Sequence, residues 1–211
     1  MAARIVSLYI DYKSPYAYLA CEPAWALERE FDVRLEWLPY TLNIPSFLGT
    51  VEGRNAHQWR RIRYSYMDAR RLANRRGLIV RGPQKLFDSS IAAVGMLYAQ
   101  RHDVFRKYND LVFERFWKRE LDIEQPEAIA AVLGQAGAPI GGFMDYLAGE
   151  GRAAHDRIQR QAEEIGVFGV PTFVVEGELF WGGDRLWMVR EKLAAAPALG
   201  EGKGPVRRPG I

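Results

Sequence analysis

Ser14 stands directly before Pro15, a pair that can place a hydroxyl group at the start of a helix. The hydroxyl of such a serine accepts a hydrogen bond from an exposed backbone amide, and proline suits the first helical position. A nucleophilic serine would need a base beside it, and nothing near Ser14 in the sequence supplies one. We therefore expect Ser14 either to donate a hydrogen bond to a bound anion or to act only as a helix cap.

A second candidate site lies in the segment VFGVPTFVV, residues 167–175, in which Pro171 opens a predicted strand. Proline cannot donate a hydrogen bond to a sheet, so its presence there requires a reason. We interpret Pro171 as a cis proline and expect the bond between Val170 and Pro171 to be cis. The backbone of Val170 would then pair with an extended peptide as a strand does. Glutathione is a peptide of suitable length.

The composition argues against several other kinds of chemistry. A single cysteine, Cys21, rules out an internal disulfide, and three scattered histidines give no metal-ligand spacing. The formal net charge of +3 is too small to indicate nucleic acid binding. We recognise no signal peptide or membrane span, and we expect a cytoplasmic protein without a membrane partner. Cys21 follows Ser14 by two helical turns, which predicts an unreactive core residue.

Alternating and periodic apolar residues predict the elements that position these candidates. A strand over 4–11, a helix over 15–30 and a strand over 33–38 form a unit whose two strands should be parallel. A helix with an apolar stripe at Trp59, Ile62 and Tyr66 begins near residue 53. Further helices are predicted over 89–101, 104–118, 126–135 and 151–164. Strands over 172–175 and 179–181 and a helix over 184–193 complete the pattern.

The order βαβ, helices, ββα is the thioredoxin arrangement, which makes the fold class α/β. The prediction is a discontinuous thioredoxin-like domain over 4–45 and 166–195, a large all-helical insertion over 46–165, and a flexible C-terminal tail over 196–211. The site of this scaffold lies where the first helix begins, and redox members carry Cys-x-x-Cys there. Because Ser14 and Ala17 take the two cysteine positions, the chain cannot cycle a disulfide of its own.

The runs IDYKSPYAYLA (residues 10–20) and GVFGVPTFVVEGELFWGGDRL (residues 166–186) resemble the 2-hydroxychromene-2-carboxylate isomerases. These enzymes belong with the kappa-class glutathione transferases and share their DsbA-like thioredoxin fold with inserted helices. The resemblance implies glutathione as the cofactor and Ser14 as the catalytic residue. It also implies that glutathione is bound by Val170, Pro171, Trp181, Gly182, Gly183 and Asp184. At the start of the last predicted helix, the Asp184 carboxylate would cap that helix and accept an ammonium group.

The resemblance further implies a small aromatic carboxylate as the substrate. The family's lysine in a Pro-rich segment is replaced here by GRNAHQWRRIRY, residues 53–64, within a stretch crowded with arginines. A guanidinium group can bind a carboxylate bidentately, although a charge run is also consistent with a solvated helix face. The predicted substrate-binding residues are Asn43, Arg54, Asn55, Arg60 and Arg61.

In the implied reaction, the glutathione thiolate adds to a conjugated carbon of an unsaturated 2-oxo acid, the new single bond rotates, and the thiolate leaves. The resemblance points to conversion of 2-hydroxychromene-2-carboxylate to trans-o-hydroxybenzylidenepyruvate in aromatic catabolism. One alternative is a kappa-class-like glutathione transferase, which would consume free glutathione. Another is a peptide-binding or chaperone-like module without catalysis, which would not depend on Ser14. The sequence leaves the oligomeric state open, with a homodimer as one option.

Overall fold

The computed structural model describes residues 3–195 of the chain, without the side chains of residues 47 and 48. Within these residues it forms one four-stranded sheet, nine α-helices and a short 3-10 helix, Gly183–Arg185. The strands are β1 (Arg4–Ile10), β2 (Val33–Pro39), β3 (Thr172–Val175) and β4 (Glu178–Trp181). The helices are α1 (Pro15–Glu30), α2 (Ile44–Leu48), α3 (Ala56–Asn74), α4 (Ser90–Arg101), α5 (Phe105–Lys118), α6 (Pro126–Ala136), α7 (Phe143–Ala148), α8 (Glu150–Glu164) and α9 (Leu186–Ala194).

The strands follow the order β2-β1-β3-β4 across the sheet. β1 pairs parallel with β2 and antiparallel with β3, with Val6 opposite Val175. The hairpin between β3 and β4 turns at Glu176 and Gly177, which both have positive φ, as a two-residue connection between twisted strands requires. The predicted parallel βαβ unit and the ββα unit are confirmed, and with them the thioredoxin-like fold class.

The turn between β1 and α1 brings the end of a central strand to the start of the first helix. Leu8 and Ile10 of β1 are fully buried, as expected of large aliphatic side chains in a strand covered on both sides. Ser14 N donates to Asp11 O at 3.0 Å, and Pro15 occupies the first helical turn. Ser14 is therefore held between the edge of the sheet and the N-terminus of α1.

Helices α3 to α8 lie between β2 and β3 in the chain and pack through large aromatic side chains, including Tyr108, Phe113, Trp117 and Phe143. Gly95 of α4 allows α5 to approach closely, because a Cβ at this position would lie 2.3 Å from Tyr108 Oη. No helix in the described part of the chain is long and apolar enough to cross a bilayer. The predicted domain limits stay a prediction, and the predicted tail over 196–211 lies outside the described residues.

The structure differs from the sequence-based prediction in three elements. The sequence does not predict α2 and α7, since five and six residues are too few to show a helical period. The last α-helix begins at Leu186 rather than at residue 184, because the 3-10 helix precedes it. Asp184 lies inside that 3-10 helix, so the prediction that it caps the last helix is wrong.

Candidate active site

Ser14 is the N-cap residue of α1, and its hydroxyl has two partners within the protein. Ser14 Oγ accepts a hydrogen bond from Ala17 N at 3.2 Å and donates one to Val170 O at 3.3 Å. Ser14 is only 5% exposed. A hydroxyl has one proton to donate, and in this structure the Val170 carbonyl receives it. The predicted helix cap is confirmed, and the same hydroxyl links α1 to the loop before β3.

The loop before β3 is tied to the far end of β4. The peptide bond between Val170 and Pro171 is cis. Pro171 O accepts a hydrogen bond from Gly182 N at 2.8 Å. Gly169 has no room for a side chain, because a Cβ there would lie 2.7 Å from Trp181 Nε1. These contacts bring the loop, the end of β4 and the start of α1 to one place.

A cavity of about 620 Å³, here called the smaller cavity, opens at this place. Its walls come from α1, the second half of α3, the loop before β3 and the segment after β4. The lining includes every residue that the sequence predicts to bind glutathione except Ser14: Val170, Pro171, Trp181, Gly182, Gly183 and Asp184. Ser14 itself lies beneath the wall, where Val170 covers it. The structure thus brings these residues together from distant parts of the chain.

Charges of both signs line the smaller cavity. Asp184 and Arg185 form an ion pair at 2.5 Å in which the Asp184 side chain is 74% exposed. Arg76, which follows α3, donates to Leu19 O of α1. Tyr16 Oη lies 3.0 Å from Asp68 Oδ2, and burial raises the pKa of Tyr16, so its hydroxyl stays protonated as a donor. The cavity can therefore accept a ligand that carries carboxylate and ammonium groups.

Gly182 shapes the bend that leads from β4 into the 3-10 helix. Its φ is +106°, a backbone conformation that favours glycine, and a Cβ there would lie 2.3 Å from Asp184 Oδ1. The neighbouring Gly183 packs against Ala20 of α1, because a Cβ would lie 3.4 Å from the Ala20 Cβ. The two glycines allow the Asp184 carboxylate to approach the bend closely.

Phe168 and Trp181 form an aromatic pair at the rim of this region. Burial statistics favour core positions for two such side chains, yet they are 54% and 47% exposed. Their ring centroids lie 4.8 Å apart. The pair covers part of its own apolar surface and leaves the remainder facing outward.

A second and larger cavity of about 1060 Å³ is bounded by α2, the first half of α3 and the segment 80–87. Seven of its lining residues are basic, namely Lys13, Arg54, Arg63, Arg70, Arg81, Lys85 and Arg119, whereas Glu52 is acidic. Its lining also includes apolar and aromatic side chains, among them Trp59, Tyr66 and Phe87. The larger cavity thus combines apolar contact area with an excess of positive charge.

Helical geometry decides which α3 arginines reach the larger cavity. Each residue turns the helix by roughly 100°, so Arg63 and Arg70 share a face with Trp59, whereas Arg60 and Arg61 point away from it. Arg60 and Arg61 are exposed and line neither cavity. The predicted contact of Arg60 and Arg61 with the substrate stays a prediction, and neither cavity supports it. The period of the apolar stripe could have identified Arg63 and Arg70 from the sequence.

Of the other three predicted substrate residues, one lines the larger cavity and two line neither cavity. Arg54 lines the larger cavity, where its Nε donates to Gly49 O at 3.2 Å and its guanidinium lies over the Trp59 ring. Asn43 and Asn55 are exposed N-caps of α2 and α3, and neither is among the lining residues of either cavity. Both asparagines thus have a local structural role, because each accepts a hydrogen bond from the first turn of its helix.

Residues 5–194 match the family described as the DSBA-like thioredoxin domain. The chain belongs to this family. A 2-hydroxychromene-2-carboxylate isomerase of Pseudomonas sp. (strain C18) is 27% identical over 201 residues, which cover 93% of each chain. The solved structure of a 2-hydroxychromene-2-carboxylate isomerase is 26% identical, with a TM-score of 0.74 over 89% of this chain and 93% of that chain. A probable DsbA oxidoreductase from Streptomyces coelicolor, at 17% identity, has a TM-score of 0.75 over 98% and 100% of the two chains and supports the fold alone.

This DSBA-like domain has its one cysteine away from the start of α1. Cys21 is 7% exposed, its Sγ lies 3.3 Å from Ala17 O, and Asn109 Nδ2 approaches it from α5 at 3.6 Å. Burial raises the pKa of the Cys21 thiol to about 12. The prediction that Cys21 is a core residue is confirmed, and a thiol with this pKa is a poor nucleophile near neutral pH.

Proposed function

We propose that this DSBA-like domain is a glutathione-dependent isomerase of 2-hydroxychromene-2-carboxylate or a similar unsaturated 2-oxo acid. The observation that carries the proposal is that residues next to Ser14 in the chain or in the structure line both cavities. The preceding residue, Lys13, lines the larger cavity, whereas Tyr16 and Val170 line the smaller one. Ligands in the two cavities would meet at the start of α1. The names of the relatives support the choice of substrate.

The smaller cavity suits glutathione, a tripeptide with two carboxylates and one ammonium group. Its volume falls within the range of about 300–1,000 Å³ that small-molecule sites usually have. Asp184 would bind the ammonium group, since an exposed pair such as Asp184 with Arg185 contributes little and can exchange partners. Arg76 and Arg185 are the candidates for the carboxylates. The Val170 backbone would pair with the peptide.

The start of α1 would favour the ionised form of a thiol placed there. When bound, glutathione supplies a thiolate that adds to a conjugated carbon and leaves again, which lets a double bond rotate as a single bond. Ser14 would donate a hydrogen bond to the sulfur, and the positive end of the α1 dipole favours the same charge. Each unit by which the thiol pKa falls corresponds to about 1.4 kcal/mol in favour of the thiolate.

The Val170 carbonyl would contact both the peptide and Ser14. The Ser14 proton is donated to Val170 O in this structure. Because a carbonyl oxygen has two lone pairs, an amide N–H of the ligand can donate to Val170 O beside the Ser14 hydroxyl. To donate to the sulfur, the Ser14 hydroxyl would rotate away from Val170 O.

The larger cavity suits an aromatic carboxylate. Trp59, Tyr66 and Phe87 offer apolar contact to a ring, and the excess of basic residues attracts an anion. The arginines on the inner face of α3, Arg63 and Arg70, replace the predicted Arg60 and Arg61 as candidates, and Arg54 remains one. An acidic substrate would thus be held with its ring against α3.

The test is conversion of 2-hydroxychromene-2-carboxylate by the purified protein, followed by absorbance with and without glutathione. We expect turnover to trans-o-hydroxybenzylidenepyruvate that requires glutathione and leaves its free concentration unchanged. Loss of free glutathione with formation of a conjugate would instead identify a transferase. Binding of unfolded polypeptides without any turnover, unaffected by Ser14→Ala, would identify a peptide-binding module.

A further inference from the structure

Lys13 is a buried cation beside Ser14 to which the function proposed above assigns no ligand of its own. Its side chain is 8% exposed, and that of its charge partner Asp11 is completely buried. Burying an ammonium group is costly unless the charge is paired and hydrogen-bonded. A lysine that only tied two segments together could be replaced by an apolar side chain without this cost. The position therefore calls for a reason to keep a charge there.

Asp11 holds the Lys13 ammonium group nearby, and the known contacts of that group do not use all of its N–H donors. The two Asp11 oxygens accept hydrogen bonds from Lys13 N at 3.1 Å and Leu42 N at 2.8 Å, which fixes the carboxylate. Lys13 Nζ lies 3.6 Å from Asp11 Oδ2, beyond an ordinary hydrogen bond, and donates to Phe87 O at 3.3 Å. Because an ammonium group has three N–H donors, capacity for an anion remains.

Five of the other six basic residues of the larger cavity are less suited to fix an anion. Arg63, Arg70, Arg81, Lys85 and Arg119 are exposed, where solvent and salt screen their charges. The sixth, Arg54, is half-buried and already contacts Gly49 O and the Trp59 ring. Lys85 is also paired with Glu124. Lys13 combines burial, a lining position and immediate proximity to Ser14 in the chain. An anion bound at Lys13 would lie in the larger cavity, next to Ser14 in the chain.

We propose that Lys13 binds the carboxylate and 2-oxo oxygens of an aromatic 2-oxo acid in the larger cavity. This inference rests on the proposed function for the choice of acid, but it concerns binding alone. Lys13 is then a specificity-determining residue: it selects acids over neutral ketones of the same shape and orients the conjugated chain toward Ser14. Asp11 is a positioning residue, which keeps the ammonium group in place.

The experiment measures binding of phenylpyruvate, an aromatic 2-oxo acid, by calorimetry to the wild type and to Lys13→Gln. The glutamine removes the charge and keeps a donor for Phe87 O. We expect phenylpyruvate affinity to fall about tenfold or more, as for the loss of a shielded charge-assisted hydrogen bond. The neutral ketone 1-phenylpropan-2-one should bind both proteins equally. Glutathione affinity should be unchanged, since Lys13 lines only the larger cavity.

Lys118→Gln is the matched control, because it removes one positive charge from a lysine that lines neither cavity and whose side chain is 28% exposed. It should keep phenylpyruvate affinity within about twofold. Equal affinities of Lys13→Gln and the wild type, or no binding of phenylpyruvate by the wild type, would overturn the proposal. If Lys13→Gln fails to fold, the double variant Asp11→Asn, Lys13→Gln removes both buried charges and is tested in the same way.

The binding experiment tests the Lys13 site independently of the proposed isomerase activity. If the wild type does not turn over 2-hydroxychromene-2-carboxylate while Lys13→Gln loses phenylpyruvate affinity, the acid site stands and the proposed reaction fails. If the wild type is an isomerase and Lys13→Gln binds phenylpyruvate normally, the reaction stands and the Lys13 site fails.

Discussion

The hydroxyl of Ser14 donates a hydrogen bond to Val170 O at 3.3 Å, although 156 positions separate the two residues in the chain. This contact joins the start of the first helix to the residue before the cis proline. The same hydroxyl accepts a hydrogen bond from Ala17 N, so one side chain both caps a helix and fixes a loop. Changes at Ser14 should therefore affect stability as well as ligand chemistry.

Ser14→Ala should lower the free energy of unfolding by about 1 kcal/mol, the usual cost of removing a helix cap. Ser89→Ala is a matched control, because Ser89 is also a buried serine at a helix N-cap, but its hydroxyl has no partner among the described residues. Denaturant unfolding of both variants measures the difference. Equal destabilisation by the two changes would contradict the assigned role of the Ser14 hydroxyl.

Ser14→Ala should also raise the pKa of the thiol of bound glutathione, because the sulfur loses a hydrogen-bond donor that favours its charged form. The absorbance of the thiolate, followed against pH in the presence of saturating glutathione, measures that pKa directly. An unchanged titration in a folded Ser14→Ala variant would leave the serine with its structural role alone.

Gly182→Ala should weaken glutathione binding and destabilise the fold. A residue with a side chain is strained at a φ of +106°, by about 1–3 kcal/mol, and the new Cβ would displace the Asp184 carboxylate. Gly166→Ala is the control, since Gly166 has a φ of +96° and no atom within 4 Å of an added Cβ. Both variants should lose stability, whereas calorimetry should find weaker glutathione binding in Gly182→Ala alone.

The arginines of α3 provide an internal comparison of two faces of one helix. Arg63→Gln and Arg70→Gln should raise KM for the carboxylate substrate about two- to fivefold, as expected for exposed charges that attract an anion. Arg60→Gln and Arg61→Gln remove the same charge from residues that line neither cavity and should leave KM nearly unchanged. The difference in KM between these two pairs of variants should become small at high salt concentration. A uniform effect of all four variants would indicate a general attraction by net charge.

Cys21 should resist alkylation in the native protein. Burial raises its pKa from 9.0 to about 12, so the thiolate that reacts with iodoacetamide is almost absent near neutral pH. Mass spectrometry should find rapid modification after unfolding and little before it. Rapid modification of the folded protein would show that Cys21 is accessible.

The raised pKa of Cys21 also predicts how the free energy of unfolding depends on pH. The pKa of the Cys21 thiol is higher in the folded than in the unfolded state. The contribution of the protonated thiol to folding stability is therefore complete below about pH 9 and is lost as the pH rises toward 12. Cys21→Ala lacks this titration. The free energy of unfolding of the wild type should therefore fall more steeply than that of Cys21→Ala above about pH 9.

The sequence alone predicts the local elements and excludes a dithiol mechanism. Side-chain periodicity and the Ser14–Pro15 pair mark β1 and α1, because these signals depend on neighbouring residues alone. The two motifs, compared with known enzymes, identified the residues that line the smaller cavity. A single cysteine in the chain excludes an intramolecular dithiol mechanism without any knowledge of the fold.

Packing between distant segments forms the cavities and the bonds that join those segments. The apolar stripe of α3 separates Arg63 from Arg60 in the sequence, but the cavity that Arg63 lines forms only where α3 lies beside α2 and the segment 80–87. The sequence predicts that Asp184 caps a helix, whereas the bend at Gly182 places Asp184 in a 3-10 helix. The buried position of Lys13 involves contacts with Asp11 and with Phe87, 74 positions away. These features arise from packing between distant segments, which no local pattern records.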